Sequence, residues 1–433
     1  MNTNKKTDAI LKEIYERIIP DKNEIDGINK SVEQIRTKLK PQIKKYKANY
    51  FLGGSVAKNT LIRKHNYDVD IFISFPKKYE SKKISDILEK ILKQSKLKYS
   101  RLKGSRDYFQ VKYNSVTIEV IPIISIKKSS EALNITDISP LHVSYVSKNI
   151  NKKPGLAKEI RLAKAFCYSQ YCYGAESYIK GFSGYSLEIL VIYFKSFLNF
   201  IREASKWKTK EKIIIDSEKY YKNKNKVFDS INESKLISPL ILIDPVQEDR
   251  NASAALSGET LEKFIESCRN FLKKPDKSFF FRKTMNAEEW KEHAEKTKSK
   301  FYLIRAKSTK PKQDSAGAKL KKFYEFLIFS LKKHDFSILK SEFDFDEKIF
   351  ESHYYLIIKE PPKEHILPGP PVNINEKYIK AFRKKYPNAF VKNKRYYAKS
   401  TRKISNFNDF LKDLKKDNQL REMGIKDISL IHI

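Results

Sequence analysis

The sequence predicts an α+β protein of several domains, in which a mixed-sheet head precedes a helical centre and an α+β C-terminal region. Three observations favour this class. The length of 433 residues fits about three domains at roughly 150 residues each. Short strands mixed with helices fill the first 140 residues, whereas helical periodicity dominates after Gly155. We therefore expect domains at residues 1–145, 146–275 and 276–433.

The elements of the head follow from hydrophobic periodicity. Residues 7–18, 28–46 and 85–97 repeat apolar side chains at helical spacing. Apolar and polar residues alternate in four shorter runs, which predict the strands Tyr50–Leu52, Asp68–Phe75, Tyr108–Tyr113 and Val116–Ile123. Helices and strands mixed in this way predict an α/β or α+β domain.

The rest of the chain is read in the same way, from apolar stripes, caps and turn residues. The predicted elements are, in order, a helix with the stripe Leu156, Ile160, Ala163 and Cys167, a helix capped by Ser183, a strand at Leu240–Ile243, an amphipathic helix at Leu261–Leu272, a strand at Tyr354–Lys359 and a proline-rich turn at Pro361–Pro371. Basic segments that contain aromatic residues follow.

The charge is strongly unbalanced. The chain carries 88 Lys and Arg against 52 Asp and Glu, a net charge of +36. Such an excess indicates a polyanionic partner, of which nucleic acid is the first candidate. The alternative is drift in A/T-rich coding sequence, which adds lysine, asparagine and isoleucine without any partner.

The cysteines and the apolar stretches exclude other classes. The chain has 3 cysteines and no C-x-x-C motif, so neither a disulfide framework nor a zinc finger is expected. The N-terminus has no apolar core of a secretory signal. The most apolar stretch, Leu187–Ile201, is interrupted by Glu188, Lys195 and Asn199, which predicts a buried helix rather than a membrane span. We expect a cytoplasmic protein without a membrane partner.

The sharpest local signal spans residues 51–76, FLGGSVAKNTLIRKHNYDVDIFISFP. Gly53 and Gly54 end a predicted strand, and their missing side chains let backbone N–H groups approach a ligand closely. Ser55 follows, at the start of a predicted helix. Exposed amides at such a turn, with Lys58 one turn later, predict an anion site suited to a triphosphate.

Two acidic residues mark the next strand. Asp68 and Asp70 share one face because strand side chains alternate, and the apolar residues between them face the core. Glu119 lies on the polar face of a later strand, VTIEVIPII, and completes a cluster if the two strands are neighbours. Because carboxylates repel each other, such a cluster needs cations, and oxygen ligands favour hard ions such as Mg²⁺. Three carboxylates suffice for two metal ions.

Each part of this motif has an ordinary alternative. A lone D-x-D on a strand is usually a solvated face, and a lone G-G-S is mostly a turn. Here the first aspartate follows the serine by 13 residues, and a further acidic residue lies within a β-branched run. The combination favours catalysis over coincidence.

The GGS…DxD…E arrangement resembles the nucleotidyltransferase superfamily, which includes poly(A) polymerases and tRNA nucleotidyltransferases. Three further segments resemble the archaeal, class I CCA-adding enzymes: LAKAFCYSQYCYGAE (162–176), GFSGYSLEIL (181–190) and DPVQEDRNASAALS (244–257). The likeness covers residues 45–280 and continues more weakly to the end, where GPPV (369–372) also fits. It implies a polymerase-β-like head that transfers CMP, CMP and AMP from CTP and ATP to tRNA 3′ ends, without a template and with Mg²⁺.

The resemblance also implies roles for individual residues. Asp68, Asp70 and Glu119 would be catalytic and hold metal, although the family usually has Asp at the third position. Arg250 would help to select C and A over G and U. Nucleotide contacts are predicted for seven residues: Gly54, Ser55, Lys58, His142, Lys164, Tyr173 and Arg250.

Four of these residues have simpler alternatives. His142 could cap a helix, and Lys164 could lie on a solvated helix face. Tyr173 could be an ordinary core residue; in the functional interpretation it precedes a glycine that ends its helix. Arg250, in a predicted polar loop, could form a salt bridge to one of the two acidic residues before it.

The C-terminal third is expected to bind RNA. Residues 377–403 interleave lysine and arginine with tyrosine and phenylalanine, which suits a sequence-independent grip on phosphates. The aromatic residues fit a core as well as stacking platforms, so no single RNA-binding residue is predicted. The resemblance implies that the tail grips the elbow region of tRNA and that the chains form a homodimer.

Two other functions stay open at this point. A poly(A) polymerase or an oligoadenylate-type synthase shares the GGS…DxD core but has no need of GFSGY or DPVxxxRN. A non-catalytic RNA-binding protein on a decayed scaffold has no reason to retain three mutually repelling carboxylates.

The net charge predicts how RNA binding responds to salt. Lysines and arginines that neutralise phosphates release counterions, so tRNA affinity should fall roughly 100-fold or more between about 50 and about 200 mM salt. Fluorescence anisotropy of labelled tRNA measures this response. A flat salt dependence would contradict the polyanion interpretation.

Overall fold

The computed structural model describes residues 2–64, 67–114, 116–223, 225–282, 285–310 and 313–431. Two units divide the chain, at 1–283 and 284–433. The finer division of the first unit near residue 145 stays a prediction. Within the motif at 51–76, His65 and Asn66 lie outside the described residues.

The described part of the first unit contains eleven α-helices and eight strands. The helices are α1 (Asn2–Ile18), α2 (Lys22–Lys45), α3 (Gly54–Ala57), α4 (Ile84–Gln94), α5 (Ser139–Lys152), α6 (Leu156–Ser169), α7 (Gly184–Phe194), α8 (Phe197–Ala204), α9 (Asn225–Ser230), α10 (Glu233–Leu236) and α11 (Gly258–Lys273). The strands are β1 (Asn49–Leu52), β2 (Tyr67–Phe75), β3 (Ser100–Leu102), β4 (Tyr108–Tyr113), β5 (Val116–Ile124), β6 (Ile213–Ile215), β7 (Leu240–Asp244) and β8 (Gln247–Asn251).

Five of these strands form the mixed sheet of the head, in the order β1-β2-β5-β4-β3. Strands β2 and β5 are parallel neighbours, and the other pairs are antiparallel. Val69, Ile71 and Ile73 are fully buried, as the alternation predicts. All four predicted strands are confirmed, and the α+β class with them. The three-residue strand β3 was not predicted.

The helical centre is organised around phenylalanine. The ring of Phe166 on α6 lies 5.5 Å from that of Phe197, 6.1 Å from that of Phe264 and 5.8 Å from that of Phe271, centroid to centroid. Helix α1 contributes Leu11 and other residues to this same core. The rings fix the distances between α6, α8 and α11.

Helix α7 begins as predicted. The Ser183 side chain accepts a hydrogen bond from the Ser186 amide and caps the helix. In the described residues, no single helix is long and apolar enough to cross a membrane. Helices α7 and α8 reach that hydropathy only when taken together, and they are bent by 96°.

The described part of the second unit contains five helices and seven strands. They are α12 (Ala287–Lys296), β9 (Lys300–Ser308), α13 (Gln313–Lys333), β10 (Ser337–Asp346), β11 (Glu351–Lys359), β12 (Glu364–Pro371), α14 (Glu376–Lys385), β13 (Phe390–Lys392), β14 (Arg395–Thr401), α15 (Phe407–Leu414), α16 (Gln419–Glu422) and β15 (Ile425–Ile431). One antiparallel sheet has the order β10-β11-β9-β15, and a smaller one has the order β12-β14-β13.

Two predicted loops are strands instead. The proline-rich segment forms β12, which pairs with β14 and has a register shift between Pro368 and Pro371. Such a shift accommodates prolines, which cannot donate to the ladder. The polar segment before Asn251 forms β8, paired with β7. In both cases pairing with a neighbouring strand outweighs local propensity.

Candidate functional site

A cleft of about 260 Å³ opens in the first unit, between the head and the helical centre. Seven of the ten predicted site residues line it: Gly54, Ser55, Lys58, Asp68, Asp70, Lys164 and Tyr173. Glu119, His142 and Arg250 are not part of its lining. The cleft therefore brings together residues that are more than 100 positions apart in the sequence.

The glycine turn lies directly against the aspartate strand. The Gly53 amide donates to the Asp70 carbonyl oxygen at 2.8 Å. Gly54 has φ +61°, and a Cβ there would lie 2.1 Å from Asp70 Oδ2. Only glycine satisfies both the backbone conformation and this close approach. Helix α3, which was predicted to begin at Ser55, begins at Gly54 and is one turn long.

The acidic residues come from adjacent strands. In the parallel ladder Asp70 is opposite Glu119, and Asp68 is opposite Thr117. The predicted neighbourhood of the two strands is therefore confirmed. Asp68 and Asp70 are two residues apart on β2 and so share its face with each other.

Burial is the main influence on the pKa values of these carboxylates, and neighbouring charges modify it. Burial, followed by the charges of Asp70 and Asp68, raises the pKa of Glu119 to about 7. Burial also raises the pKa of Asp70, to about 6. Lys58 lowers this pKa in part, and the charge of Asp68 adds to the rise. Among the described residues, no three His, Cys, Asp or Glu side chains are already arranged to hold an ion. The three-carboxylate metal site stays a prediction.

The opposite wall of the cleft is built on a buried carboxylate that was not predicted as a site residue. Glu188, on α7, is fully buried. It accepts hydrogen bonds from Lys58 Nζ at 2.6 Å, Lys164 Nζ at 2.7 Å and Thr60 Oγ1 at 2.8 Å. We call these four residues the Glu188 network.

The charges of the network compensate one another. Burial alone would raise the pKa of Glu188, but Lys164 and Lys58 outweigh it and lower that pKa to about 2. Burial lowers the pKa of Lys164 to about 8, against the attraction of Glu188. Glu188 is therefore ionised and Lys164 mostly protonated at neutral pH, so that the two form an ion pair beside the cleft.

Lys164 does not lie on a solvated helix face. It is 2% exposed, and its Nζ also donates to Thr60 Oγ1 at 2.8 Å. One turn earlier on α6, the buried Arg161 donates to the Leu61 carbonyl oxygen at 3.0 Å and to Asn59 Oδ1 at 2.6 Å. Helix α6 thus holds the segment after α3 in place through two cationic side chains.

Tyr173 reaches the cleft from a different element than predicted. Helix α6 ends at Ser169, so Tyr173 lies beyond its last turn, in an isolated bridge with Phe182. A Cβ on Gly184 would lie 2.9 Å from Tyr173 Oη, so this approach requires glycine. Lys64 lies 4.9 Å from the centre of the tyrosine ring.

His142 and Arg250 meet at a second buried carboxylate, Asp244, at the end of β7. His142 Nε2 lies 3.0 Å from Asp244 Oδ2, and Arg250 Nη1 donates to the same oxygen. Tyr185 Oη donates to Asp244 Oδ1 at 2.9 Å. Tyr185 also lines the cleft, which connects this cluster to it. We call these four residues the Asp244 cluster.

Both simpler alternatives for His142 and Arg250 are wrong. His142 lies inside α5, whose N-cap is Ile138. The ion pair of Arg250 is formed with Asp244 rather than with either acidic residue that precedes it on β8.

Sequence reasoning missed six polar residues of the site: Thr60, Lys64, Tyr67, Tyr185, Glu188 and Asp244. Two of them carried a signal. Glu188 interrupts the most apolar stretch of the chain, and Asp244 ends the apolar strand LILID. A charged side chain within an apolar element is buried with a partner or is functional.

Removal of the Glu188 carboxylate should destabilise the fold. Glu188→Ala leaves two ammonium groups buried without their counter-ion, and we expect a loss of about 3–5 kcal/mol in the free energy of unfolding. Urea denaturation measures it. The matched control is Glu203→Ala, which breaks an exposed pair with Lys206 and should cost less than ~1 kcal/mol. Equal losses in the two variants would contradict the role assigned to burial.

The raised carboxylate pKa values predict a pH-dependent stability. Folded Glu119 and Asp70 retain protons to about pH 7 and about 6, whereas the unfolded chain releases them near their ordinary values. Their contribution to stability is present at low pH and is lost as the pH rises through these values. Without divalent cations, the free energy of unfolding should fall by roughly 3–4 kcal/mol between about pH 5 and about pH 7.5 through these groups.

The measurement compares the wild type with Asp70→Asn and Glu119→Gln, so that other titrating groups cancel. The fall with pH should be smaller in both variants, and added Mg²⁺ should oppose it in the wild type only. Parallel curves for all three proteins would contradict the raised pKa values of Asp70 and Glu119.

Three protein families match consecutive parts of the chain. Residues 5–140 match the Second Messenger Oligonucleotide or Dinucleotide Synthetase domain. Residues 158–281 match the second domain of tRNA nucleotidyltransferase, and residues 297–425 match the C-terminal domain of the CCA-adding enzyme. The two later matches agree with the predicted family.

Solved structures confirm the predicted nucleotidyltransferase fold. A mutant of the Cid1 poly(U) polymerase bound to MgATP superposes with a TM-score of 0.52 and 14% sequence identity, over 64% of this chain and 99% of that one. A second Cid1 structure, titled for its RNA terminal uridylyl transferase activity, superposes with a TM-score of 0.52 and 12% sequence identity. It covers 66% of this chain and 100% of that one. At such low identity the likeness shows the nucleotidyltransferase fold alone.

Whole-chain relatives are archaeal. The CCA-adding enzyme of Nanoarchaeum equitans is 33% identical over 376 residues, which cover 86% of this chain and 88% of the relative. The CCA-adding enzyme of Methanocaldococcus jannaschii is 29% identical over 423 residues, which cover 95% of this chain and 91% of the relative. Identity of this extent, together with the two tRNA nucleotidyltransferase domains, shows that the chain belongs to the archaeal-type CCA-adding enzymes, a family of tRNA nucleotidyltransferases.

Proposed function

We propose that this chain adds C, C and A to the 3′ end of tRNA, taking CMP from CTP and AMP from ATP and releasing pyrophosphate. The observation that carries the proposal is the cleft, which the glycine turn and Lys58 line together with Asp68 and Asp70, while Glu119 is opposite Asp70 in the ladder of β2 and β5. Carboxylates that hold a metal ion serve the attacking hydroxyl, and the glycine turn with its lysine serves the triphosphate. Transfer requires these two kinds of group next to each other.

The acidic residues fit a hard divalent cation. Asp68, Asp70 and Glu119 offer oxygen ligands only, and burial together with neighbouring carboxylates raises the pKa values of Asp70 and Glu119, although Lys58 opposes the rise at Asp70. We assign Mg²⁺ to these three residues. When bound, it would lower the pKa of the attacking 3′-hydroxyl and neutralise charge on the triphosphate.

The protein's own groups would bind and orient the triphosphate. Gly54 and Ser55 line the cleft, and Lys58 lines it with its ammonium group held by Glu188. Lys164 and Tyr173 complete this wall. A fixed wall of donors holds the α-phosphate in line with the attacking hydroxyl and so reduces the entropy lost on reaching the transition state.

We assign base recognition to the Asp244 cluster. Arg250 is partly exposed, at 27% of its side chain, and can offer donors to a base edge. His142 stacks on Tyr185 with 4.1 Å between ring centres, and Tyr185 lines the cleft.

The second unit is proposed to bind the body of the tRNA. None of the residues of α14 is buried, and this helix carries Arg383, Lys384 and Lys385 in its last turn. Strand β13 is exposed throughout. Such a surface suits phosphate contacts that ignore sequence. The three-domain division, a homodimer and a cytoplasmic setting stay predictions.

The direct test is incorporation into tRNA that lacks its 3′ CCA. Purified protein is incubated with this tRNA, Mg²⁺ and each labelled nucleoside triphosphate in turn, and products are resolved at single-nucleotide length. We expect two C residues followed by one A, with pyrophosphate released. Tailing with A alone, or a product formed without RNA, would instead favour a poly(A) polymerase or an oligonucleotide synthase.

Asp70 should be required for transfer and not for RNA binding. Asp70→Ala should abolish CMP and AMP incorporation, while tRNA affinity stays within a few-fold of the wild type. The matched control is Asp229→Ala, an exposed aspartate on α9, which should behave as the wild type. Normal turnover by Asp70→Ala would remove the metal assignment.

A further inference from the structure

The carboxylate of Asp244 lies in an unusual position. It is fully buried at the carboxyl end of β7, a strand whose other residues are apolar. Its Oδ1 accepts from Tyr185 Oη at 2.9 Å and from the Val246 amide at 3.0 Å. Its Oδ2 faces His142 Nε2 and Arg250 Nη1. Four donors from α5, α7, the β7–β8 turn and β8 therefore converge on one side chain.

These contacts fix the orientation of the groups around Asp244. A buried charge is tolerated when hydrogen bonds and an opposite charge satisfy it, and removing it leaves those partners unpaired. Arg250 alone has several rotatable bonds and would occupy many positions. With Nη1 bound to Asp244, the plane of the guanidinium group is restricted, and its remaining donors point in a limited set of directions.

A restricted guanidinium can discriminate between bases where a mobile one cannot. On the Watson–Crick edge, C and A present a ring nitrogen that accepts a hydrogen bond, whereas U and G present an N–H there. A donor held at one point attracts the first pair and leaves an unpaired polar contact with the second. A mobile donor could move to the carbonyl oxygens of U or G instead.

We propose that Asp244 is the positioning residue for nucleotide selection, because it holds Arg250, His142 and Tyr185 in one arrangement at the edge of the cleft. This inference rests on the proposed function. Asp244 does not touch the nucleotide. It acts through Arg250 and through the stacked pair of His142 and Tyr185.

The test measures selectivity rather than activity alone. In Asp244→Asn, which keeps the shape but loses the charge, kcat/KM is determined for CTP and UTP on tRNA lacking CCA, and for ATP and GTP on tRNA ending in CC. We expect the CTP/UTP and ATP/GTP ratios to fall by roughly tenfold or more. The matched control is Asp249→Asn, which removes the same charge from an exposed position next to Arg250 and should leave both ratios unchanged.

A double-mutant cycle shows whether Asp244 acts through Arg250. Arg250→Ala should lower the same ratios, and adding Asp244→Asn should lower them no further. Independent, multiplicative losses would overturn the positioning role. A uniform fall in kcat/KM for all four nucleotides, with unchanged ratios, would overturn it too and would leave Asp244 as a structural residue.

A gentler variant serves if Asp244→Asn does not fold. Tyr185→Phe removes one donor to Asp244 and retains the ring that stacks on His142. It should lower the ratios by a few-fold, and unchanged ratios would contradict the proposal.

The wild-type reaction separates this inference from the proposed function on which it rests. Wild type that fails to add C, C and A contradicts the proposed function, whereas normal addition with unaltered selectivity in the variants contradicts only this inference.

Discussion

The cleft depends on one electrostatic constraint, the burial of Glu188 between Lys58 and Lys164. Two ammonium groups can be withdrawn from water at this place only because a carboxylate lies 2.6 Å and 2.7 Å from them. Without that carboxylate, desolvation would favour the neutral form of Lys164. The network therefore fixes helices α6 and α7 against the segment after α3, and it keeps cationic groups beside the glycine turn.

The two walls of the cleft are compensated unequally. The lysines have an internal counter-ion, whereas burial and, to a smaller extent, neighbouring carboxylates raise the pKa values of Asp70 and Glu119, with Lys58 opposing the rise at Asp70. Acidic side chains on one side of the cleft and ammonium groups on the other suit a ligand that brings both charges. A triphosphate with a divalent cation is such a ligand, and it would relieve the repulsion that folding leaves in place.

The same structural device occurs twice. Glu188 and Asp244 are both fully buried, and each gathers donors from several elements at the edge of the cleft. A buried carboxylate is a costly way to stabilise a fold, since apolar packing of the same volume usually does as well. It is a good way to restrict flexible lysine and arginine side chains, whose freedom would otherwise weaken recognition.

The sequence alone determined the elements of the head, the shared face of Asp68 and Asp70, the glycine turn and the family. These rest on short-range rules, namely side-chain alternation, glycine conformation and motif spacing. Only the tertiary structure decided that Glu119 is opposite Asp70, that Lys164 is buried, and that Arg250 pairs with Asp244. Those contacts join residues distant in sequence, and the energy of a buried charge depends on the partners that folding brings to it, which no local pattern encodes.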